Sequence, residues 1–427
     1  MMSLLLFGTL LVLLVLNIPI GVALGLASIT ALVFGNMPTP PLVVAQRMFT
    51  AVDSFPFMAI PFFMLAGGLM ESGGISRRLI SFAKACVGTV PGGLGIITIV
   101  ASAFFGAISG SNPATVAAIG GIMIPAMIKA GYPRDFAAAV AAAGGTLGVI
   151  IPPSIPMVTY GVVASVSIGT LFMAGFVPGI IIALCLIGVI YFYALKLDLP
   201  KGEPTSLKLF VSSFKEAILA LVMPIIILGG IYGGVFTPTE AAAVAVVYSF
   251  IVSIFVYKEL TIKELGPVIV KAGVSTSVVL FVIATSASFS WLITSAQIPA
   301  KVTAAMMSLS SNAVVITLLI NIILLFLGTF LETQAIILLV APILLPLAMQ
   351  LGIDPIVLGI IMVVNTSVGM ITPPMAVNLF VACGISNLKV EQISRKIVPF
   401  LIVEIIIVLI ISNFPNISMF IPNLLGK

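Results

Sequence analysis

Long apolar blocks alternate with short polar ones along this chain. Residues 1–46, 85–128, 136–195 and 302–331 contain no Asp, Glu, Lys or Arg. About 20 apolar helical residues cross the hydrocarbon core of a bilayer, and every one of these blocks is longer. The pattern predicts an all-α polytopic membrane protein with roughly eleven or twelve segments, some of half length. A transmembrane β-barrel would instead alternate over segments of about ten residues. Residues 3–34 read as a first membrane helix interrupted near Pro19. The longest polar stretch is Lys196–Glu216, KLDLPKGEPTSLKLFVSSFKE, and a second basic loop follows at Lys258–Lys271. Between them, Gly234–Thr239 (GVFTPT) carries no cation. The positive-inside rule then puts 196–216 and 258–264 in the cytoplasm and 234–239 outside. Ser386–Lys396 is a further basic segment, cytoplasmic or interfacial.

Composition narrows the chemistry. Of 427 residues, 61% are hydrophobic and 7% charged, against about 25% charged in soluble domains. There is no histidine, which removes His–metal ligation, Ser–His nucleophiles and His proton relays together. Cys86, Cys185 and Cys383 lie in separate apolar stretches without CxxC spacing, so neither a zinc site nor a disulfide framework is indicated. The net charge of +5 comes from cations scattered over short loops. That is membrane topology, not a nucleic-acid surface. No charge precedes Arg47, so a signal-peptide n-region is lacking and the first helix is expected to be retained. No Walker A pattern, dinucleotide fingerprint or nucleophile–base pair is present, and no enzymatic activity is expected.

An internal repeat organises the rest. Moved back by 221 residues, NTSVGMITPPM (Asn365–Met375) lies over GGTLGVIIPPS (Gly144–Ser154) without gaps, matching Gly148/Gly369, Pro152/Pro373 and Pro153/Pro374. In the same register PILLPLAMQLG (Pro342–Gly352) lies over GIMIPAMIKAG (Gly121–Gly131). Lys129 and Arg134 follow the first copy, whereas Gln350 and Asp354 follow the second. One copy's end therefore prefers the cytoplasm and the other's the outside, as in the inverted repeats of secondary transporters. The halves run roughly over 1–200 and 215–427. Within them, 1–55, 166–271 and 386–427 read as scaffold, and 56–165 and 272–385 as two halves of a transport domain.

Each half carries a pair of helix-breaking segments, FFGAISGSNPAT (Phe104–Thr115) with GGTLGVIIPPS, and FLGTFLETQA (Phe326–Ala335) with NTSVGMITPPM. Irregular backbone at membrane depth must be buried in protein or line a cavity, and matched breaks point to a site near the midplane. SGSNP joins two apolar arms of roughly 18 residues, too short to cross comfortably. A re-entrant hairpin with Ser109, Ser111 and Asn112 at its tip fits, as does a short loop between two full spans. Asn112-Pro113 reads as N-cap and first helical residue. At the other tip Glu332 stands deep in apolar sequence. It reads as a proton carrier, a counter-charge to a bound cation, or a carboxylate paired at the surface. Thr146, Asn365, Thr366, Ser367 and Thr372 flank the breaks as oxygen donors, or bond back to their own helices. Glu240, after Thr237-Pro238-Thr239, suits a helix first turn. Glu404, among Ile and Val, reads as a packing or subunit contact.

The repeated hairpin, the GxIxPP pattern, FFGAISGSNPATVAAIG and NTSVGMITPPMAVNLF together resemble the large membrane (M) subunit of TRAP (tripartite ATP-independent periplasmic) transporters, over essentially the whole chain. The resemblance implies an elevator-type fold of the ion-transporter superfamily kind in the bacterial inner membrane. It implies Na⁺-coupled uptake of an organic acid, sialic acid (N-acetylneuraminate) or a C4-dicarboxylate, delivered by a periplasmic binding protein. It also implies a small four-helix membrane subunit, expected here as a separate chain. About two or more Na⁺ ions would bind, with no organic cofactor. Carried over by residue, one Na⁺ site would use Ser109, Ser111, Asn112, Gly144, Gly145 and Gly148. The other would use Gly328, Thr329, Thr333, Thr366, Gly369 and Thr372. Substrate would lie near Ser109, Ser111, Ser154, Pro152, Pro153 and Pro373, with Glu332 a candidate for coupling. Because Ser111-Asn112 faces Glu332-Thr333, the two cation sites would differ chemically. A proton-coupled organic-anion transporter or antiporter working without a binding protein is the alternative.

Overall fold

A computed structural model describes residues 2–35, 39–202 and 204–426; Glu203, within the polar stretch 196–216, lies outside them. Among the described residues, seven helices are long and apolar enough to cross a membrane: Phe55–Ser72, Ile168–Lys196, Leu207–Tyr232, Pro238–Val256, Ile262–Ser295, Thr333–Gln350 and Val390–Asn413. An eighth candidate is a bent pair, Arg134–Ile150 with Ile155–Val163, angled at 40°. The other apolar helices have 10–17 residues. Against the eleven or twelve expected segments, seven or eight have the length and composition of a full span, and one of these, Thr333–Gln350, is also a hairpin arm.

Residues 3–34 do not form one interrupted span. Met2–Val15 and Ile20–Phe34, of 14 and 15 residues, pack on each other. They do so antiparallel, because a Cβ at Gly35 would lie 3.7 Å from Met2 Cγ. The turn follows from Asn17, whose φ of 62° gives the left-handed C-cap conformation, and from Ile18 N–H bonding to the Leu13 carbonyl at 3.0 Å. Each arm is about 21 Å long at 1.5 Å per residue, short of the ~30 Å hydrocarbon core. The second basic loop is also shorter than expected. Helix Ile262–Ser295 begins on a Thr261/Glu264 capping box, so Lys263 and Lys271 are helical.

The 221-residue register recurs in the elements. The arms Gly93–Ser109 and Asn112–Lys129 (hairpin 1) correspond to Ala313–Gly328 and Thr333–Gln350 (hairpin 2). The next helices start at Arg134 and at Pro355, and the Pro152–Pro153 and Pro373–Pro374 bonds are both cis. Hairpin 1 folds back sharply, with Thr98 Oγ1 3.9 Å from Met127 Sδ and Ser109 Oγ 2.9 Å from Thr115 Oγ1. Beyond each proline pair a half-helix crosses into the other half. Ile155–Val163 packs on Thr333–Gln350 and Pro355–Gly369, while Val377–Ser386 packs on the second arm of hairpin 1 and on Arg134–Gly145. Tyr160 O–H donates to the Pro355 carbonyl at 2.6 Å, and Gln334 Nε2 donates to Thr159 Oγ1.

Around this interlocked centre, Ile262–Ser295 packs on Ile20–Phe34, Leu42–Val52 and Ala59–Ser72, and Ala59–Ser72 on Pro238–Ile251. A clasp closes the corner between Ala59–Ser72 and the following helix. Arg77 and Arg78 each meet a Glu259 carboxylate oxygen at 2.6 Å, and the Arg78 guanidinium sits 3.8 Å above the Tyr257 ring. Thr237 and Glu240 form a reciprocal capping box, the helix-start role read from the sequence.

Candidate functional site

Hairpin 1 turns at Gly110, in the left-handed region at φ 60°. Ser111, extended, is the N-cap of the second arm, one residue earlier than the sequence reading placed it. Asn112 is therefore helical, and its side chain is free for distant partners. Fully buried, it donates from Nδ2 to Ser367 Oγ at 2.7 Å and accepts at Oδ1 from Val149 N–H at 2.9 Å. Ser367 Oγ in turn donates to the Thr146 carbonyl at 2.8 Å. Thr146 and Ser367 are 221 residues apart, so the hairpin 1 tip is tied to both broken helices where corresponding residues meet.

Oxygen atoms gather beside this tie. Ser109 Oγ, Thr115 Oγ1 and the Ser111 carbonyl lie within 2.8–3.3 Å of one another. Gly148 closes the cluster, since a Cβ there would sit 2.5 Å from the Ser111 carbonyl oxygen and 2.7 Å from Thr115 Oγ1. Of the first expected cation set, the fold brings together Ser109, Ser111, Asn112 and Gly148. Gly144 instead faces Ser102, and Gly145 faces Val116 and Asn378. Thr115 was missed by sequence reasoning. Its signal was the spacing of four from Ser111, which puts the hydroxyl one turn inside the capped end.

The second set is built from backbone. A Cβ on Gly328 would lie 2.8 Å from Gly369 Cα and 3.1 Å from the Thr366 carbonyl, so hairpin 2 and helix Pro355–Gly369 touch main chain to main chain. Hydroxyls of Thr329, Thr366 and Thr372 donate to the carbonyls of Phe326, Met362 and Val368 at 2.7, 2.7 and 2.9 Å, leaving lone pairs as what they can offer. Thr333 Oγ1 lies 3.5 Å from Met370 Sδ, next in the chain to Gly369. That sulfur also lies 3.4 Å from Asn112 Nδ2. Among the expected substrate contacts, Pro152, Pro153 and Ser154 are buried, Ser154 capping helix Ile155–Val163, while Pro373 is half-buried.

Both tips line one small cavity of about 40 Å³, with Ser111, Asn112, Val149, Glu332, Thr333 and Met370 in its wall. Through Met64, Ser111 and Glu332 it adjoins a cleft of about 570 Å³. Glu332 caps hairpin 2's second arm by position only, with no side-chain cap bond, and is exposed. The cleft's other charged groups are Glu71 and Lys271, 3.7 Å apart. Glu404 is fully buried, with Oε1 3.0 Å from Thr146 Oγ1. It is thus an internal contact at the first break and not part of a subunit-facing surface.

The family model described as tripartite ATP-independent periplasmic transporter, DctM component, matches residues 7–417. The chain belongs to that family. The chain is 46% identical over 418 residues to the isethionate TRAP transporter permease protein DctMQ of Oleidesulfovibrio alaskensis, covering 97% of this chain and 65% of that longer protein. It is 40% identical over 440 residues to the C4-dicarboxylate large permease DctM of Rhodobacter capsulatus, covering 100% of both. With the sialic acid large permease SiaM of Vibrio cholerae it shares 37% identity, covering 96% and 95%. Among solved structures, the YdaH transporter of Alcanivorax borkumensis superposes with a TM-score of 0.63 at 16% identity, covering 88% and 87%. At that identity the likeness shows a shared transporter fold. These relatives are transporter permeases, not enzymes.

Proposed function

We propose that this DctM component is the large permease of a Na⁺-coupled TRAP transporter that takes up an organic acid across the bacterial inner membrane. A periplasmic binding protein delivers the substrate and a small membrane subunit of four helices pairs with this chain. The observation that carries the reading is the meeting of both hairpin tips at one cavity, tied across the halves through Asn112, Ser367 and Thr146. The cluster of Ser109, Thr115 and the Ser111 carbonyl suits a hard monovalent cation, which prefers neutral and anionic oxygen. The facing backbones at Gly328, Gly369 and Thr366 offer a second such place.

Charge supplies the coupling. A substrate carboxylate entering the cleft meets Glu332 and an already paired Lys271, so it faces repulsion and desolvation without compensation. Na⁺ at the tips provides the missing positive charge, beside the partial positive ends of the two arm helices. Each ligand then lowers the cost of burying the other, which is a reciprocal coupling free energy. We assign the moving body to the two hairpins and broken helices, sliding as an elevator, with both cation sets and the substrate between them. The substrate class is a small organic acid such as a C4-dicarboxylate, a sulfonate or sialic acid.

The test is reconstitution. Vesicles holding this chain, the small subunit and the binding protein are assayed for uptake of labelled succinate, isethionate and sialic acid, with and without an inward Na⁺ gradient. Uptake of one of them only with Na⁺ and the binding protein is expected. Uptake by the chain alone, driven by a pH gradient without Na⁺, would replace this reading with the proton-coupled one, for which the cleft-facing Glu332 is the available carrier.

A further inference from the structure

Away from the hairpin tips, a further cavity of about 310 Å³ lies between helix Ile75–Val87, the first arm of hairpin 1 and the start of Leu207–Tyr232, walled also by Pro200, Lys201, Gly202, Pro204 and Thr205. Its polar lining includes Lys84, Lys201 and Glu216 with the hydroxyls of Ser81 and Thr205. Among the described residues no ion pair engages any of these three charges. Leu94, Ile97 and Leu209 supply an apolar flank.

The wall carrying Lys201 is fixed in place. Lys201 pairs with Pro91 in an antiparallel bridge, Gly202 N–H donates to the Val90 carbonyl at 3.1 Å, and Gly92 N–H to the Pro200 carbonyl at 3.3 Å. Gly202 packs so closely that a Cβ would overlap the Gly88 carbonyl. Lys84 stands in the last turn of its helix, one turn beyond Ser81. The two cations, both exposed, therefore stand on anchored backbone around one partly open space.

The depth of the cavity suits a lipid headgroup. Helix Leu207–Tyr232 opens with Leu207 79%, Leu209 48% and Phe210 37% exposed, interleaved with Lys208 and followed by Lys215. Apolar side chains set among lysines are the composition of the membrane–water interface, and this is the basic side of the chain. Basic pockets between helices on that side hold phospholipid headgroups.

Glu216 selects among headgroups. Two ammonium groups attract a phosphodiester, but a purely anionic ligand would also face the carboxylate. A zwitterion carrying a primary ammonium beside its phosphate meets all three charges with opposite ones. We propose that this cavity is a binding site for a phosphoethanolamine headgroup, with the phosphate on Lys84 and Lys201 and the ammonium on Glu216.

The full-length protein, purified in detergent, is presented with phosphatidylethanolamine, phosphatidylglycerol or inorganic phosphate, and retained ligand is read by native mass spectrometry. One phosphatidylethanolamine should be retained in preference to phosphatidylglycerol. Lys84→Gln with Lys201→Gln should weaken retention of either lipid about thirtyfold, taking about 1 kcal/mol per lysine. Glu216→Gln should abolish the preference while lipid still binds, whereas Glu391→Gln, in the first turn of Val390–Asn413 and outside the cavity, should keep it. Lys84, Lys201, Glu216 and Glu391 are exposed, and an unchanged size-exclusion profile confirms that each variant is folded. Equal retention of both lipids by the unaltered protein, or unchanged retention in the double lysine variant, would overturn the assignment. So would loss of preference in Glu391→Gln, or displacement of bound lipid by inorganic phosphate. None of these readouts involves transport, so they stand or fall separately from the Na⁺-coupled reading.

Discussion

Replacing Asn112 by alanine removes the one side chain that bonds to both broken helices. Val149 N–H loses its acceptor at 2.9 Å and Ser367 Oγ its donor at 2.7 Å, all at fully buried positions. Leaving a buried N–H unpaired costs about 1–3 kcal/mol, and the lost bond to Ser367 adds about 1 kcal/mol. If cation binding requires the tip to be seated, and the seat is no more than marginally favoured before substitution, the weakened seat lowers the competent fraction and taxes apparent affinity by close to the same free energy. Taking the low end, about 2 kcal/mol, the Na⁺ concentration for half-maximal uptake should rise roughly thirtyfold, at about 1.4 kcal/mol per tenfold. Ser367→Ala breaks the same link from the other side and also frees the Thr146 carbonyl. The two substitutions should therefore be non-additive, with a coupling energy of about 1 kcal/mol, as expected for residues in one hydrogen-bond network. The assay is Na⁺-dependent uptake in vesicles for the two single variants and the double. Variants that insert and pair normally, yet keep the original Na⁺ dependence and combine additively, would refute the seating argument.

Three further substitutions probe other parts of the molecule. Gly148→Ala puts a Cβ 2.5 Å from the Ser111 carbonyl oxygen; Na⁺-stimulated uptake should fall at least tenfold while membrane insertion, read by protein yield in washed membranes, is retained. Glu332→Gln removes the cleft's unpaired carboxylate without changing its shape; Na⁺-driven uptake should survive with altered substrate affinity, and loss of all cation-driven uptake would instead make Glu332 the carrier. Gly74→Ala both strains a φ of 75° and drives a Cβ into the Glu259 carboxylate, so it should open the Arg77–Arg78–Glu259 clasp and lower the thermal unfolding midpoint. Glu259→Gln should lower it less, since it adds no backbone strain and its amide oxygen still accepts from an arginine of the Arg77–Arg78 pair.

How much of this was written in the sequence depends on the range of the interaction that made it. The 221-residue register came from Gly and Pro, whose effect on backbone is local, and the hairpins and breaks fall where those residues said. Segment lengths also carried over, because rise per residue and bilayer thickness are fixed. What periodicity lacked was direction. Residues 2–34 contain enough apolar length for one span, and only Asn17 in the left-handed conformation sends the chain back on itself. The capping residue slipped from Asn112 to Ser111 for a related reason: the local preference of Asn for an N-cap was outbid by partners 255 residues away.

The candidate site divides along the same line. Its members on one hairpin were legible, since SGSNP concentrates hydroxyls and an amide at a turn. Its closure was not, because the groups that complete it belong to segments that meet only after each half-helix crosses to the opposite half. Gln334 reaching Thr159 and Tyr160 reaching the Pro355 carbonyl hold that crossing from both sides. The crossing has a mechanical consequence. A displacement of hairpin 2 pulls on Ile155–Val163, which continues from the break that Asn112 grips, so neither tip can move without loading the other. Two cation sites on separate, independently packed halves would report to each other weakly. The two places proposed for Na⁺ share a tie one hydrogen bond long at Thr146 and Ser367, so under the proposed reading occupancy at one tip would set the geometry of the other.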